Sequence, residues 1–227
     1  MSSADARQPR RPGGVGHAAR LAGRRAIARA FGPLLRSAQE HRRSQIKAVG
    51  IPPKRIVLLG DSITEYGMWD EWFEGRPMLN RGIGGETSAQ VLARLDTAIW
   101  EPLAVLLLIG TNDLSIGVPE DEIVANIRAI LDGVERRAAG TPVILQSVMP
   151  RNARFRDEVV LLNRRLERLV ADASDHVRYL DLWPALADVG GSLKAAYSLD
   201  HLHLNGDGYR AWVQVLEPEI KAFARAA

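Results

Sequence analysis

From Pro53 onward, short apolar runs alternate with longer stretches whose apolar residues recur at helical spacing. The runs span Ile56 to Leu59, a weak run at Met78 to Asn80, Ala104 to Ile109, Val143 to Val148 and Val177 to Leu182. The helical stretches lie at about 87 to 99, 119 to 138, 154 to 173 and 207 to 225. This alternation predicts an α/β fold, a three-layer sandwich with a central parallel sheet of about five strands.

The first 52 residues follow a different pattern. Residues 1 to 16 are rich in Pro, Gly, Arg and Ser and have no apolar period, which predicts disorder. From His17 to about Ala48, apolar residues recur at roughly helical intervals and predict one or two amphipathic helices broken near Gly32-Pro33. These residues are Leu21, Ile27, Phe31, Leu34 and Leu35. We therefore divide the chain into an N-terminal arm, residues 1–52, and one globular domain, residues 53–227.

The net charge of the chain changes sign near the boundary between the arm and the globular domain. Residues 1 to 55 carry 13 Lys or Arg against two acidic residues, whereas the remainder carries 17 basic and 25 acidic residues. A basic arm on an acidic body predicts contact of residues 1–50 with a membrane surface or another acidic partner. The alternative is a solvated extension without a partner.

The composition also bounds the chemistry and the compartment. There is no cysteine, which excludes a disulfide framework, a thiolate nucleophile and a Cys-ligated metal. The apolar runs are far shorter than the ~20 residues that cross a bilayer, and arginines interrupt the only candidate signal segment. We therefore expect a soluble, cytoplasmic protein, with an organellar transit peptide as an alternative for the Arg-rich opening.

Glycines and polar residues follow the predicted strands where each strand ends. Gly60-Asp61-Ser62 follows the first, Arg81 to Thr87 the second, and Gly110 to Asp113 the third, while Asp200 to His203 precede the last helix. Ligands of parallel sheets bind outside the carboxyl ends of the strands. The four segments are therefore expected to meet at one rim of the sheet.

Three residues of this rim can form a nucleophilic centre. A serine needs an adjacent base, and the base needs a third group that holds its tautomer. Ser62, His203 and Asp200 supply these three parts, and the Asp-x-x-His spacing lets the last two come from one short loop. Ester hydrolysis also needs donors for the oxyanion. The candidates are the Ser62 N–H, a backbone N–H within Gly82–Gly85, and the Asn112 amide.

Other interpretations of the same rim residues are open. Ser62 alone could be a helix N-cap, and Gly82–Gly85 could bind a phosphate, although it lacks the spacing of a nucleotide loop. Asp200, His201 and His203 could be metal ligands.

Two further groups of residues near this rim can be interpreted in two ways. Trp69, Trp72 and Phe73 could line an acyl or leaving-group pocket, or belong to the core. Arg151 and Arg154, after the fourth strand, could bind an acidic leaving group or be solvated.

Four blocks of the chain, in order, resemble those of the SGNH (GDSL-like) hydrolase superfamily. They are Gly60-Asp61-Ser62-Ile63-Thr64, Asn80-Arg81-Gly82-Ile83-Gly84-Gly85-Glu86-Thr87, Gly110-Thr111-Asn112-Asp113 and Asp200-His201-Leu202-His203. The Ile-Gly-Gly-Glu-Thr and Leu-Ile-Gly-Thr-Asn-Asp strings are similar to the branch that contains the platelet-activating-factor acetylhydrolase catalytic subunit and its bacterial relatives.

This resemblance implies a flavodoxin-like SGNH hydrolase fold for residues 53–227. It implies Ser62 as nucleophile, His203 as base with Asp200 as partner, and Ser62, Gly85 and Asn112 as oxyanion donors. Neither a cofactor nor a metal is expected.

The candidate residues predict hydrolysis of carboxylic esters through an acyl-serine intermediate, and the resemblance implies short-chain, acetyl-type substrates. The alternatives are a carbohydrate O-acetylesterase, or a non-catalytic module whose basic arm docks on nucleic acid or an anionic membrane. The expected partner is a small-molecule ester, with no obligate nucleic acid. The oligomeric state is open, a homodimer being one alternative.

Overall fold

The computed structural model describes residues 14–225, with side chains from Gly32 to Phe223. Its centre is a five-stranded, fully parallel sheet in the order β2-β1-β3-β4-β5. The strands are β1 (Ile56–Gly60), β2 (Met78–Gly82), β3 (Ala104–Leu108), β4 (Val143–Gln146) and β5 (Val177–Leu180). This order is that of flavodoxin-like folds, and it confirms the predicted α/β architecture.

Helices cover both faces of the sheet. They are α1 (Gly14–Val49), α2 (Ser62–Glu65), α3 (Trp69–Trp72), α4 (Ser88–Ala93), α5 (Leu95–Ala98), α6 (Thr111–Ile116), α7 (Glu120–Arg137), α8 (Arg156–Ala171), α9 (Trp183–Leu186) and α10 (Gly206–Arg225), with 3-10 turns at Ala153–Phe155 and Ala195–Tyr197.

The central strands β1 and β3 are buried along their whole length. Alternate residues of a strand face opposite sides of the sheet, so each strand contributes to two cores. Val57 and Leu59 pack with α4, α5, α7 and α8, whereas Ile56 and Leu58 pack with α3, α9 and α10. The register pairs Gly60 with both Gly82 and Leu108, which brings the ends of the three strands to the same level.

One predicted helical stretch, 87 to 99, is divided into α4 and α5. Arg94 separates them with a non-helical backbone (φ −118°, ψ 17°). Its guanidinium turns into the interior, where Nε contacts Glu86 Oε2 at 2.6 Å and NH2 donates to Arg81 O at 2.8 Å. These contacts explain the break, because a continuing helix would carry the side chain away from the buried Glu86.

The N-terminal helix differs from the sequence prediction in two ways. Helix α1 continues through Pro33, where a break was predicted. A proline removes one hydrogen bond from a helix and strains the preceding turn, a cost of about 3 kcal/mol that does not by itself end a long helix. Gly14, Val15 and Gly16, predicted disordered with residues 1–13, begin this helix, while residues 1–13 lie outside the described part.

Candidate active site

Ser62 is the first residue of α2, directly after the buried strand β1. The preceding Asp61 is the N-cap, and its Oδ1 accepts a hydrogen bond from Ile63 N–H at 3.0 Å. Because Asp61 performs the capping, the Ser62 hydroxyl is free for another role, and the N-cap interpretation of Ser62 does not hold. The Ser62 Oγ lies 3.0 Å from His203 Nε2.

The loop that carries His203 is organised by Asp200. One carboxylate oxygen, Oδ2, lies 2.7 Å from His203 Nδ1, and the other accepts from the backbone N–H groups of Leu202 and His203 at 2.9 and 2.8 Å. Partial burial opposes ionisation of Asp200, but these hydrogen bonds outweigh it and hold its pKa well below the ordinary value. The anion therefore fixes the imidazole with Nδ1 as donor and leaves Nε2 facing Ser62.

The loop after β2 brings backbone donors to the same place. Gly85 has a φ of +72°, a left-handed conformation that favours glycine. Within the described residues, neither the Ser62 N–H nor the Gly85 N–H has a protein acceptor. One hydrogen of Asn112 Nδ2 is donated to Glu86 O at 2.9 Å, which leaves its second hydrogen available.

Ser62, His203, Gly85 and Asn112 all line one cavity of about 700 Å³. Its other walls come from α1, α2, the loop after β2, α4, α6 and the His203 loop. The further lining residues are Gly32, Leu35, Arg36, Ala38, Gln39, Glu65, Tyr66, Gly84, Thr87, Gln90, Ser115, Ile116 and Leu202. The structure thus places the candidate nucleophile, base and oxyanion donors, Ser62, His203, Gly85 and Asn112, at this cavity. Asp200 does not line the cavity but contacts His203.

The second half of α1 forms one wall of the cavity, which the sequence did not reveal. Gln39 and Ile46 are buried against the body of the protein. Arg43 NH2 contacts the fully buried carboxylate of Glu86 at 2.8 Å, on the side opposite Arg94. Buried charges are rare unless they are paired, so the contacts of Glu86 with Arg43 and Arg94 hold α1 to the loop after β2. Only the helical periodicity of 17 to 48 pointed to such packing.

Asp113 joins the second and third sequence blocks. Its carboxylate is buried and accepts from Ser88 N–H at 3.0 and 3.1 Å and from Ser88 Oγ at 2.6 Å. The start of α4 is therefore tied to α6. Because Asn112 precedes Asp113, the same bonds hold Asn112 beside the Gly85 loop.

The aromatic residues after Ser62 belong to the core. Trp69 is 2% exposed, Phe73 is buried, and Trp72 packs against the same cluster, which includes Trp212 of α10. None of them lines the cavity, so the pocket interpretation is wrong for these residues. Tyr66 does line the cavity, and its ring centroid lies 5.4 Å from that of His203.

The two arginines after β4 have different environments. Arg151 is buried, and its NH1 donates to Thr111 O at 3.1 Å and to Ser115 Oγ at 2.6 Å, so it braces α6. Arg154 is exposed, and its guanidinium lies 5.5 Å from the Phe155 ring centroid. Neither lines the cavity.

The alternatives of phosphate and metal binding find little support in the contacts. The Gly82 N–H is donated to Asn80 Oδ1, and the Gly84 N–H to the Glu65 carboxylate at 2.6 Å, so the loop already holds acceptors, one of them anionic. Both ring nitrogens of His203 are engaged. Among the residues that the structure describes, no three His, Asp or Glu side chains are grouped as a metal would require.

Burial gives Asp61 an unusual titration. Removal from water raises its pKa from an ordinary 3.8 to about 7, and the hydrogen bond from Ile63 N–H only partly offsets this. A carboxyl with a higher pKa when folded binds more protons in the folded state between the two values. Its contribution to stability is therefore complete below about pH 4 and is lost as the pH rises through 7.

We expect Asp61→Asn to become more favourable as the pH rises, because Asn keeps an acceptor for Ile63 N–H but carries no charge. The difference in the free energy of unfolding, variant minus wild type, should increase by on the order of 2 kcal/mol as the pH is raised from about 5.5 to 8. Denaturant unfolding at both pH values measures this difference. The exposed Asp70 provides the control, Asp70→Asn, and equal pH dependence of the two variants would contradict the burial of a titrating Asp61.

Comparison with known proteins agrees with this geometry. Residues 58–211 match the model of the GDSL-like lipase/acylhydrolase family. The chain belongs to this family. The match begins within β1 and ends in α10, so it includes all four blocks of the cavity rim, the end of β1 and all of β2 to β5. The sequence-based recognition is thereby confirmed.

Individual proteins are also similar to this chain. The alpha1 subunit of bovine platelet-activating factor acetylhydrolase IB is 30% identical over 164 residues, which cover 68% of this chain and 69% of the relative. A solved structure from Streptococcus pneumonia, described as a candidate platelet activating factor, has a TM-score of 0.79 and 28% identity, covering 86% of this chain and 98% of its own. An acetyl xylan esterase from Geobacillus stearothermophilus shares the fold, with a TM-score of 0.62, 20% identity and coverage of 74% and 94%.

Membership of the GDSL-like family makes the protein an enzyme that hydrolyses ester bonds. Within residues 14–225, none of the helices combines the length and the apolarity that a membrane span requires.

Proposed function

We propose that the protein is a serine esterase that hydrolyses short-chain, acetyl-type carboxylic esters through an acyl-serine intermediate. The observation that carries the proposal is the continuous chain from Asp200 through His203 to Ser62, with distances of 2.7 and 3.0 Å, beside a cavity that presents unpaired N–H donors. A hydroxyl held by an oriented imidazole is the arrangement that activates serine nucleophiles.

In the acylation step, Ser62 Oγ attacks the ester carbonyl carbon while its proton moves to His203 Nε2. The negative charge of Asp200 stabilises the imidazolium that forms. The oxyanion of the tetrahedral intermediate accepts hydrogen bonds from the N–H groups of Ser62, Gly85 and Asn112. The C–O bond to the alcohol then breaks, and His203 returns the proton to the departing oxygen.

In the deacylation step, a water molecule attacks the acyl carbon and gives its proton to His203 Nε2. The second tetrahedral intermediate uses the same donors. Its collapse releases the carboxylic acid and returns the proton to Ser62 Oγ. Every proton transfer passes through His203 Nε2, which already contacts Ser62 Oγ, so this scheme requires no cofactor.

Two observations support a short acyl group. The relatives at up to 30% identity are named acetylhydrolases. In addition, Leu35 Cδ2 lies only 3.3 Å from the position that a Cβ at Gly85 would occupy, so α1 restricts the space beside the oxyanion donors. The acyl group must lie next to these donors during the reaction.

A series of nitrophenyl esters of increasing acyl length tests the proposal. We expect the highest kcat/KM for the acetyl ester and a steady decrease for longer chains. Acetylated sugars in the same assay identify a carbohydrate O-acetylesterase if they exceed the simple esters in kcat/KM. Absence of turnover on every ester, together with salt-sensitive binding to anionic vesicles through residues 1–50, would instead indicate the non-catalytic module.

A further inference from the structure

The peptide unit between Gly84 and Gly85 contains both the proposed oxyanion donor and a carbonyl that faces α1. In a trans peptide the C=O and the N–H point in opposite directions. A contact that fixes the direction of the Gly84 C=O therefore also fixes the direction of the Gly85 N–H. The rotation of this unit matters because glycines on both sides allow it a wide range of backbone angles.

Gln39 of α1 provides this contact. Its side chain is 4% exposed, and Nε2 donates to Gly84 O at 3.1 Å across 45 residues of sequence. The same nitrogen lies 3.4 Å from the position that a Cβ at Gly85 would occupy, so the amide lies directly against this peptide.

Gln39 is itself held in place. Its Oε1 accepts from Gln90 Nε2 at 3.1 Å, and Gln90 Oε1 accepts from Thr87 N–H at 3.0 Å. The Thr87 N–H fixes the orientation of the Gln90 side-chain amide, and Gln90 fixes that of the Gln39 amide. The Gln39 Nε2 therefore faces the Gly84 carbonyl as a donor. These hydrogen bonds connect Gln39 of α1 to Gln90 of α4, and Gln90 in turn to the end of the loop that contains Gly84 and Gly85.

The other side of the loop is held independently. The Gly84 N–H is donated to Glu65 Oε2 at 2.6 Å. Glu65 thus fixes the peptide before Gly84, and Gln39 fixes the peptide after it. The Gly85 N–H, on the side away from Gln39, is left without a protein acceptor within the described residues and borders the cavity.

We propose that Gln39 is a positioning residue of the esterase, which orients the Gly85 N–H toward the oxyanion by holding the Gly84 carbonyl. This inference rests on the proposed function. A donor that is aligned in advance stabilises the transition state without reorganisation. The hydrogen bond from Gln39 to the Gly84 carbonyl also polarises the Gly85 N–H of the same peptide unit. The hydrolytic machinery therefore includes a side chain from α1, outside the matched residues 58–211.

The test compares Gln39→Met, which removes the donor and preserves length and volume, with Gln39→Glu, which replaces the amide nitrogen by an acceptor. Gln45 lies exposed on the same helix, so Gln45→Met is the matched control. We expect kcat on the acetyl ester to fall about tenfold in both Gln39 variants, less than the loss of a complete donor, with KM within about twofold. Gln45→Met should retain the wild-type values.

A tetrahedral transition-state analogue separates positioning from general loosening of the site. The inhibition constant of an alkyl trifluoromethyl ketone should increase by the same factor as kcat/KM decreases, whereas that of the alcohol product should stay constant. Thermal melting is measured for each variant. If Gln39→Met melts below the assay temperature, kcat and the inhibition constant of the isosteric Gln39→Glu variant are compared with those of the wild type.

The result that would overturn the inference is unchanged kcat in a folded Gln39 variant, or a loss carried by KM alone. Ser62→Ala, assayed in parallel, distinguishes this from failure of the proposed function. Turnover retained by Ser62→Ala would reject the acyl-serine mechanism, while loss in Ser62→Ala with normal kcat in Gln39→Met would reject only the role of Gln39.

Discussion

Replacement of Ser62 by alanine should lower kcat on an acetyl ester by on the order of 10⁶, the loss seen when the serine nucleophile of a triad is removed. Ser62 Oγ is the only atom of this residue beyond Cβ, and it makes the 3.0 Å contact with His203 Nε2. The substitution leaves the Ser62 N–H and the Asp61 cap in place. The enzyme should therefore keep its fold and its affinity for the substrate.

Steady-state kinetics and thermal melting measure this result together. Ser44→Ala provides the matched control, because Ser44 is exposed on α1 and does not line the cavity. Turnover within tenfold of the wild type in a folded Ser62→Ala variant would mean that another group attacks the ester.

Replacement of Asn112 by alanine should lower kcat by on the order of 10² to 10³, as expected for the loss of one oxyanion donor. The ground-state carbonyl carries less charge than the oxyanion, so KM should change little. Asn112→Ala also removes the hydrogen bond to Glu86 O at 2.9 Å, and its melting temperature must therefore be measured with its kinetics.

Asn126→Ala is the control for this substitution. Asn126 donates to Ser88 Oγ at 3.1 Å but does not line the cavity, so it tests the loss of one amide hydrogen bond near α4. Equal losses of kcat in Asn112→Ala and Asn126→Ala would show that the effect is structural and would remove Asn112 from the proposed oxyanion hole.

The strands and the rim could be predicted from the sequence because their signals are local. An apolar run such as Ala104–Leu108 is sufficient to predict a central strand, and the rule that ligands bind at strand ends then brings Ser62 and Asn112 to one edge. The weak run at Met78 was also a strand, at the edge of the sheet next to β1. Edge strands bury fewer residues, which explains the weaker pattern.

The contribution of α1 could not be predicted in this way. Its periodicity indicated an amphipathic helix, but periodicity does not identify the surface against which a helix packs. Gln39 is polar, and its burial depends on Gly84 and Gln90, which are 45 and 51 residues away in sequence. For Trp69 the sequence left a pocket and a core position open, because the residue lies close to Ser62 in sequence, and the structure places it in the core.

Glu65 and Glu86 illustrate a further limit. Both follow or lie within recognised blocks, yet their roles depend on pairing with distant groups. Glu65 holds the Gly84 N–H, and Glu86 lies between Arg43 and Arg94. A charge in a sequence predicts exposure by default, so buried ion pairs become visible only when the fold brings both partners together.

The proposed mechanism requires that His203 activate the Ser62 hydroxyl for attack on a carbonyl. Covalent labelling with a fluorophosphonate, followed by peptide mapping, measures this activation. We expect one adduct, on Ser62, with a labelling rate that falls steeply in His203→Ala and no labelling in Ser62→Ala. An adduct on another residue, or equal labelling rates with and without His203, would contradict activation of Ser62 by His203.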